Sequence, residues 1–191
     1  MEYRIDDNND RILIQNLGIV KLLEVLHNND FIYSDYFKAL KCDDYYKKII
    51  SSMGINNTSC LLLMLFLLLN QLVELNKKKK EMDLRELEIF IRSRIRFIYS
   101  DTESFAFDCN YIDFIRNSIA HYNTRFEFKN DKVEVFFTSK ISVKIQGIKN
   151  KQKRLITFSL YSEDVGAIID ETFKISLLYL DKKYKNKENK E

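Results

Sequence analysis

The stretch Thr58–Lys80, TSCLLLMLFLLLNQLVELNKKKK, decides how the rest of the chain is read. Its centre, Cys60 to Leu69 (CLLLMLFLLL), is ten apolar residues long, against the roughly 20 that a spanning helix needs. A helix apolar around its whole circumference, yet too short for a bilayer, belongs at the middle of a helical bundle. Thr58 or Ser59 supplies its N-terminal cap, and Lys77 to Lys80 fall at the negative end of the helix dipole. No membrane is expected as a partner.

The neighbouring segments supply the cover such a helix needs. From Ile12 to Leu26, leucines and isoleucines recur every three or four residues up to the stop His27-Asn28-Asn29-Asp30, with His27 suited to the last carbonyls. A shorter helix is expected over Tyr36 to Met53. Asp83 can cap a fourth, with Leu84, Leu87, Ile91, Ile95 and Ile98 on its buried face and Arg85, Arg92 and Arg96 on another. A fifth is expected from about Asp108 to Tyr122. Ser162-Glu163-Asp164 opens the last, which runs through Val165, Ile168, Ile169, Phe173, Leu177 and Leu180. The polar tail from Asp181 to Glu191 is expected to fray.

Composition narrows the classes. The 191 residues, 46% of them hydrophobic, suit one domain with a real core. Proline is absent and glycine numbers four, which argues against a Gly-rich phosphate loop or a sandwich of many tight turns. Cys42, Cys60 and Cys109 are too few and too scattered for a disulfide framework or a zinc knuckle. They are expected to be free thiols in the core. The N-terminus lacks a basic region followed by an apolar one, so the cytoplasm is the expected compartment.

Strand signals are confined to one window. Phe126 and Phe128 alternate with Arg125, Glu127 and Lys129; Asn130-Asp131 makes a turn; Val133, Val135 and Phe137 alternate after it. Two further alternating stretches, Ile141/Val143/Ile145 and Ile156/Phe158/Leu160, flank a polar loop, giving an antiparallel sheet of three or four strands. The window 124–160 carries nine Lys/Arg and three Asp/Glu in a chain of net charge +3, so the basic excess is local. Arg125, Lys144, Lys149, Lys151 and Lys153, interleaved with aromatics, suit single-stranded RNA.

The fifth helix ends in IRNSIAHY, Ile115 to Tyr122. At 100° per residue Asn117 and His121 lie one turn apart on one face with Arg116 beside them, while Ile112, Ile115 and Ile119 cover another side. A histidine of ordinary pKa, about 6.5, can take or give a proton at neutral pH. An arginine fork can hold a scissile phosphate and stabilise the charge of a pentacoordinate transition state. The set therefore suits RNA cleavage by the 2′-hydroxyl, with Asn117 orienting His121 or the phosphate and with neither a metal nor a cofactor required.

The string RNSIAH, on an amphipathic helix that stops just after the histidine, resembles the Arg-x4-His motif of the HEPN superfamily. The resemblance implies a mainly α fold, a bundle of five or six helices, here with a small antiparallel β-insert at about 124–160 before the last helix. The motif match itself covers about eight residues; the expected organisation is a single domain of this type over 1–184, followed by a disordered tail at 185–191. The resemblance further implies a metal-independent endoribonuclease with Arg116, Asn117 and His121 as catalytic residues. Two copies would face each other as a homodimer around one cleft. The role implied is that of a toxin or antiviral-defence (abortive infection) effector, restrained by an antitoxin or other regulatory protein. The alternative is a non-catalytic module of the same fold that binds RNA or a protein. One branch of the superfamily carries His-x-Tyr; here Tyr122 follows His121 directly and Asn123 stands in the tyrosine's place.

Overall fold

The computed structural model describes residues 5, 7–55, 57–79, 82–100, 109–143 and 152–188. Among them the chain is mostly helical, with seven α-helices and a four-stranded antiparallel sheet before the last helix. In chain order these are α1 (Asn8–Asn28), α2 (Asp35–Ala39), α3 (Asp44–Met53), α4 (Thr58–Lys79), α5 (Arg85–Arg92), β1 (Phe97–Ser100), α6 (Tyr111–Ala120), β2 (Thr124–Lys129), β3 (Lys132–Val143), β4 (Gln152–Tyr161) and α7 (Ser162–Glu188).

Helix α4 holds the centre, as its leucines require. Leu65, Leu68, Leu69 and Leu72 are fully buried among α1, α6 and α7. The helix outruns its leucine stretch: Thr58–Lys77 has a mean hydropathy of 1.9 and enough length to suit a bilayer, and half of it is buried inside the fold. Its cap is Asn57, whose Oδ1 accepts the Cys60 amide at 3.0 Å, one position before the two residues expected to do so. Two polar stitches fix α4 on α1: Asn16 Nδ2 donates to the Leu67 carbonyl at 3.1 Å and Gln71 Nε2 to the Asn9 carbonyl at 2.7 Å.

Several expectations are corrected. The helix expected over Tyr36 to Met53 is two helices, because the Asp43 carboxylate turns back to accept the Tyr45 amide at 2.7 Å and starts α3 afresh. The fourth helix stops at Arg92. Beyond it Phe97 to Ser100 pair with β4, Phe97 opposite Ser159 and Ser100 opposite Ile156, so Ile98 sits on an edge strand, half exposed. The sheet is therefore not wholly an insert before α7, since β1 precedes α6. Within the insert, the two stretches read as Val133–Phe137 and Ile141–Val143 are one continuous strand, β3. Asn29, whose Nδ2 donates to the Val25 carbonyl at 2.8 Å, closes α1 in place of His27. Cys42 is exposed, and Cys60 and Cys109 are half-buried; burial raises the Cys60 thiol above its ordinary value.

The last helix also continues where fraying was expected, through Glu188. Its anchor is Asp10 of α1, fully buried, which accepts from Tyr179 Oη at 3.0 Å, from Tyr184 Oη at 2.6 Å and from Lys183 Nζ. Burial alone would lower the Lys183 ammonium, but its bonds to Asp10 and Tyr179 outweigh that and hold it above its ordinary value. Burial, together with the bond to Asp10, also lifts the Tyr184 phenol.

In the sheet the strand order is β1-β4-β3-β2. Asn130 and Asp131, at φ 50° and 61°, make the primed turn that the β2–β3 hairpin needs. Val135, Phe137, Phe158 and Leu160 face the helices and are fully buried. On the opposite face Ser159 Oγ donates to the buried Glu134 carboxylate at 2.6 Å, and the Arg125 guanidinium lies over the Phe136 ring.

Candidate active site at the end of α6

Helix α6 is fixed at both ends before any site residue is considered. At its start Asn110 Oδ1 accepts the Asp113 amide at 2.7 Å, while the Glu88 carboxylate of α5 accepts the Tyr111 and Ile112 amides at 2.7 and 3.0 Å. Three otherwise orphaned donors are thereby satisfied, two of them by a negative charge at the positive end of the dipole. Along its length Ile112, Phe114 and Ile115 are buried, with the Phe114 ring 4.7 Å from that of Phe158. The buried Ser118 hydroxyl lies 2.9 Å from the Phe114 carbonyl and 3.0 Å from the Thr138 carbonyl of β3, sharing its single proton between them.

The far end closes in a Schellman motif. The His121 amide donates to the Asn117 carbonyl at 3.1 Å, Tyr122 to Ile119 at 3.1 Å and Asn123 to Ser118 at 2.8 Å. Tyr122 takes the left-handed position at φ 55°, where glycine is the usual occupant. The Asn123 carbonyl then accepts the Thr138 amide at 2.9 Å, so the chain passes from the helix straight into β2. His121 and Tyr122 are both exposed at this joint.

The three candidate catalytic residues take different environments. His121 caps the helix in solvent, and Asn117, half-buried, is tied to it through the backbone. Arg116 is turned elsewhere: its side chain is 18% exposed, with Nη2 3.1 Å from Asp113 Oδ1. Its Nε is buried and has no acceptor. One helix thus sets Asn117 and His121 one turn apart, joined by a backbone bond, and sends Arg116 to Asp113. The spacing Asp113-x-x-Arg116, one turn of helix, was the signal that could have exposed this pair. Nothing local in the sequence marks the left-handed Tyr122, and the Glu88 cap joins residues far apart in the chain.

The expected RNA-binding lysines and arginines are spread out. Arg125 lies on the sheet face away from the helices, 3.0 Å from Glu127, which also holds Lys129 at 2.7 Å. That carboxylate is lowered, first by its bond to Lys129. Lys153 is exposed on β4. Lys144, Lys149 and Lys151, like Ile145 and Asp108, lie outside the described residues. Arg85, Arg92 and Arg96 do not share one face: Arg85 pairs with Asp83, Arg92 ends α5, and Arg96 stacks over Tyr161 with its guanidinium carbon 3.7 Å from the ring centre. Among the described residues, no three His, Cys, Asp or Glu side chains gather where they could hold a metal ion. Against known protein families, curated proteins and solved structures, the chain shows no match.

Proposed function

We propose that the chain is an endoribonuclease of the HEPN type that cleaves RNA without a metal or cofactor, as a homodimer, in the setting of defence or toxin–antitoxin control. The single observation that carries the reading is the buried, unpartnered Nε of Arg116 on the same helix, clamped at both ends, that presents His121 to solvent. A buried donor without an acceptor costs about 1–3 kcal/mol, and a phosphate oxygen would relieve it with a charge-assisted bond once the side chain swings from Asp113 to the surface.

One copy is not enough. Arg116 and His121 are five residues apart, which on a helix separates them by about 140°. A two-fold axis beside the end of α6 supplies two histidines and two arginines to one cleft. There His121 of one copy takes the proton of the 2′-hydroxyl, whose oxygen attacks phosphorus. Arg116 stabilises the added negative charge. The bond to the 5′ oxygen then breaks, that oxygen accepting a proton from the protonated His121 of the second copy. The products are a 2′,3′-cyclic phosphate and a 5′-hydroxyl end.

The Arg116–Asp113 pair favours a second reading, in which the arginine only braces the helix and the chain binds RNA without cutting it. One experiment separates them: purified protein with single-stranded RNA and excess chelator, its product ends analysed. Cyclic phosphate ends that disappear in His121→Ala support the enzyme. Intact RNA bound by the wild type supports the binding module, and neither binding nor cleavage overturns both.

A further inference from the structure

Three aromatic rings follow His121 within seven positions of the chain and are left open by the fold. Tyr122 is 93% exposed, Phe126 38% and Phe128 84%. Phe126 and Phe128 lie on the helix-facing side of β2, the side on which Val135 and Phe137 of β3 are buried. Helices α6 and α7 pack on β3, and β2 is the edge strand beyond it. Two rings on one face of a strand stand about 6.7 Å apart along it. From Tyr122 to Phe128 the chain reaches at most about 20 Å.

Tyr122 adds a second, independent observation. A residue with a Cβ in the left-handed region costs about 1–2 kcal/mol, and a ring this exposed recovers none of it by burial. The fold by itself favours glycine at this position. A strained, solvent-facing ring beside the candidate base is a backbone outlier of the kind that marks function.

We infer that Tyr122, Phe126 and Phe128 form a stacking track for unpaired bases, leading a single strand of RNA past His121. This rests on the reading of the site as an RNA-binding one, and it narrows the substrate to single-stranded RNA. Exposed rings suit bases, each of which offers a flat face, and the local basic excess of the 124–160 window, nine Lys/Arg against three Asp/Glu, suits a polyanion, although Arg125 and Lys129 themselves point to the other face of β2 and pair with Glu127.

The test uses the full chain carrying His121→Ala, titrated against a fluorescent oligouridylate and against a blunt RNA duplex. Tyr122→Gly and Phe128→Ala, each added to that background, should weaken oligouridylate binding at least about fivefold, leave duplex binding unchanged and leave the salt dependence unchanged, since no charge is removed. Tyr122→Gly should also melt at a higher temperature, which separates a ring kept for binding from one kept for folding. Oligouridylate affinity unchanged in both ring variants, with the parent binding normally, overturns the track and leaves the ribonuclease reading standing. Ring variants that shift from dimer to monomer at unchanged RNA affinity also overturn it, marking the rings as an interface between copies. A parent that binds no RNA, from a wild type that cuts none, overturns both.

Discussion

Replacing Asp10 by alanine removes the acceptor shared by Tyr179, Lys183 and Tyr184 and leaves an ammonium and two phenols at a site where the carboxylate itself is fully buried. Removing one partner of a buried ion pair costs about 3–5 kcal/mol. Lys183 keeps 20% of its side chain in solvent and can be partly rehydrated, which places the loss at the lower end, about 3 kcal/mol. With an unfolding entropy of about 2.1 cal/mol/K per residue, a chain of 191 residues loses roughly 7 °C of melting temperature for that change. Calorimetry or circular dichroism at pH 7 reads it directly. Adding Lys183→Met to Asp10→Ala should recover part of the loss, because the ammonium that has lost its close carboxylate, with Asp7 at 4.0 Å, costs more than the missing bond itself. An Asp10→Ala protein that melts within a degree or two of wild type, with α7 still helical to its end, would show that the cluster does not hold the two helices together.

Three further outcomes are expected. His121→Ala and Arg116→Ala should each lower RNA cleavage at least about 100-fold, and the variant at the exposed His121 should do so while moving the melting temperature by less than about 2 °C; Arg116→Lys should not rescue, lacking the fork. A folded His121→Ala protein that cleaves at the wild-type rate would end the catalytic assignment. Specific activity should fall on dilution through the dimer dissociation constant and be indifferent to EDTA, so full activity from a strict monomer, or silencing by chelator with recovery in magnesium, would rule out the composite cleft. Because Lys183 and Tyr184 both titrate above their ordinary values in the folded chain, their stabilisation is complete below the unfolded values near pH 10 and is lost as pH rises beyond them, the unfolded state releasing its protons first. Asp10→Ala should flatten that alkaline limb of the stability curve; equal limbs would place the protons elsewhere.

Helices α1, α4 and α7 could be read from the chain because each presents a long, periodic apolar pattern, and the β2–β3 hairpin because Asn130-Asp131 names its own turn. What escaped was set by partners far away in sequence. Ile95 and Ile98 keep helical spacing with Ile91, yet Phe97 to Ser100 pair with Ser159 to Ile156, and nothing near residue 97 announces a strand sixty positions on. Thr138 and Ser139 are polar and so look like a break, although they are paired across to Thr157 and Ile156 inside one long β3. The last turns of α7 are charged enough to fray, until Asp10 is seen to receive them. At the candidate site, the pattern Arg116-Asn117 with His121 was legible because all three residues lie on one helix. The turn of Arg116 toward Asp113 was written there too, at the same spacing, and the left-handed Tyr122 was not.

Thr138 has a consequence for how the site can move. Its amide is bonded to the Asn123 carbonyl just beyond α6, and its carbonyl receives the Ser118 hydroxyl from inside α6, so one residue in the middle of the sheet rivets the helix end on two sides. Amides at Asn123 and Thr138 should then exchange with deuterium only at the rate of global unfolding, alongside those of Leu68 and Phe158, and far more slowly than those of α2. A joint with no local opening offers no hinge. In the proposed homodimer, access to His121 would then be gained by whole copies shifting against each other, and a restraining protein of the kind proposed would need only to hold the two copies apart.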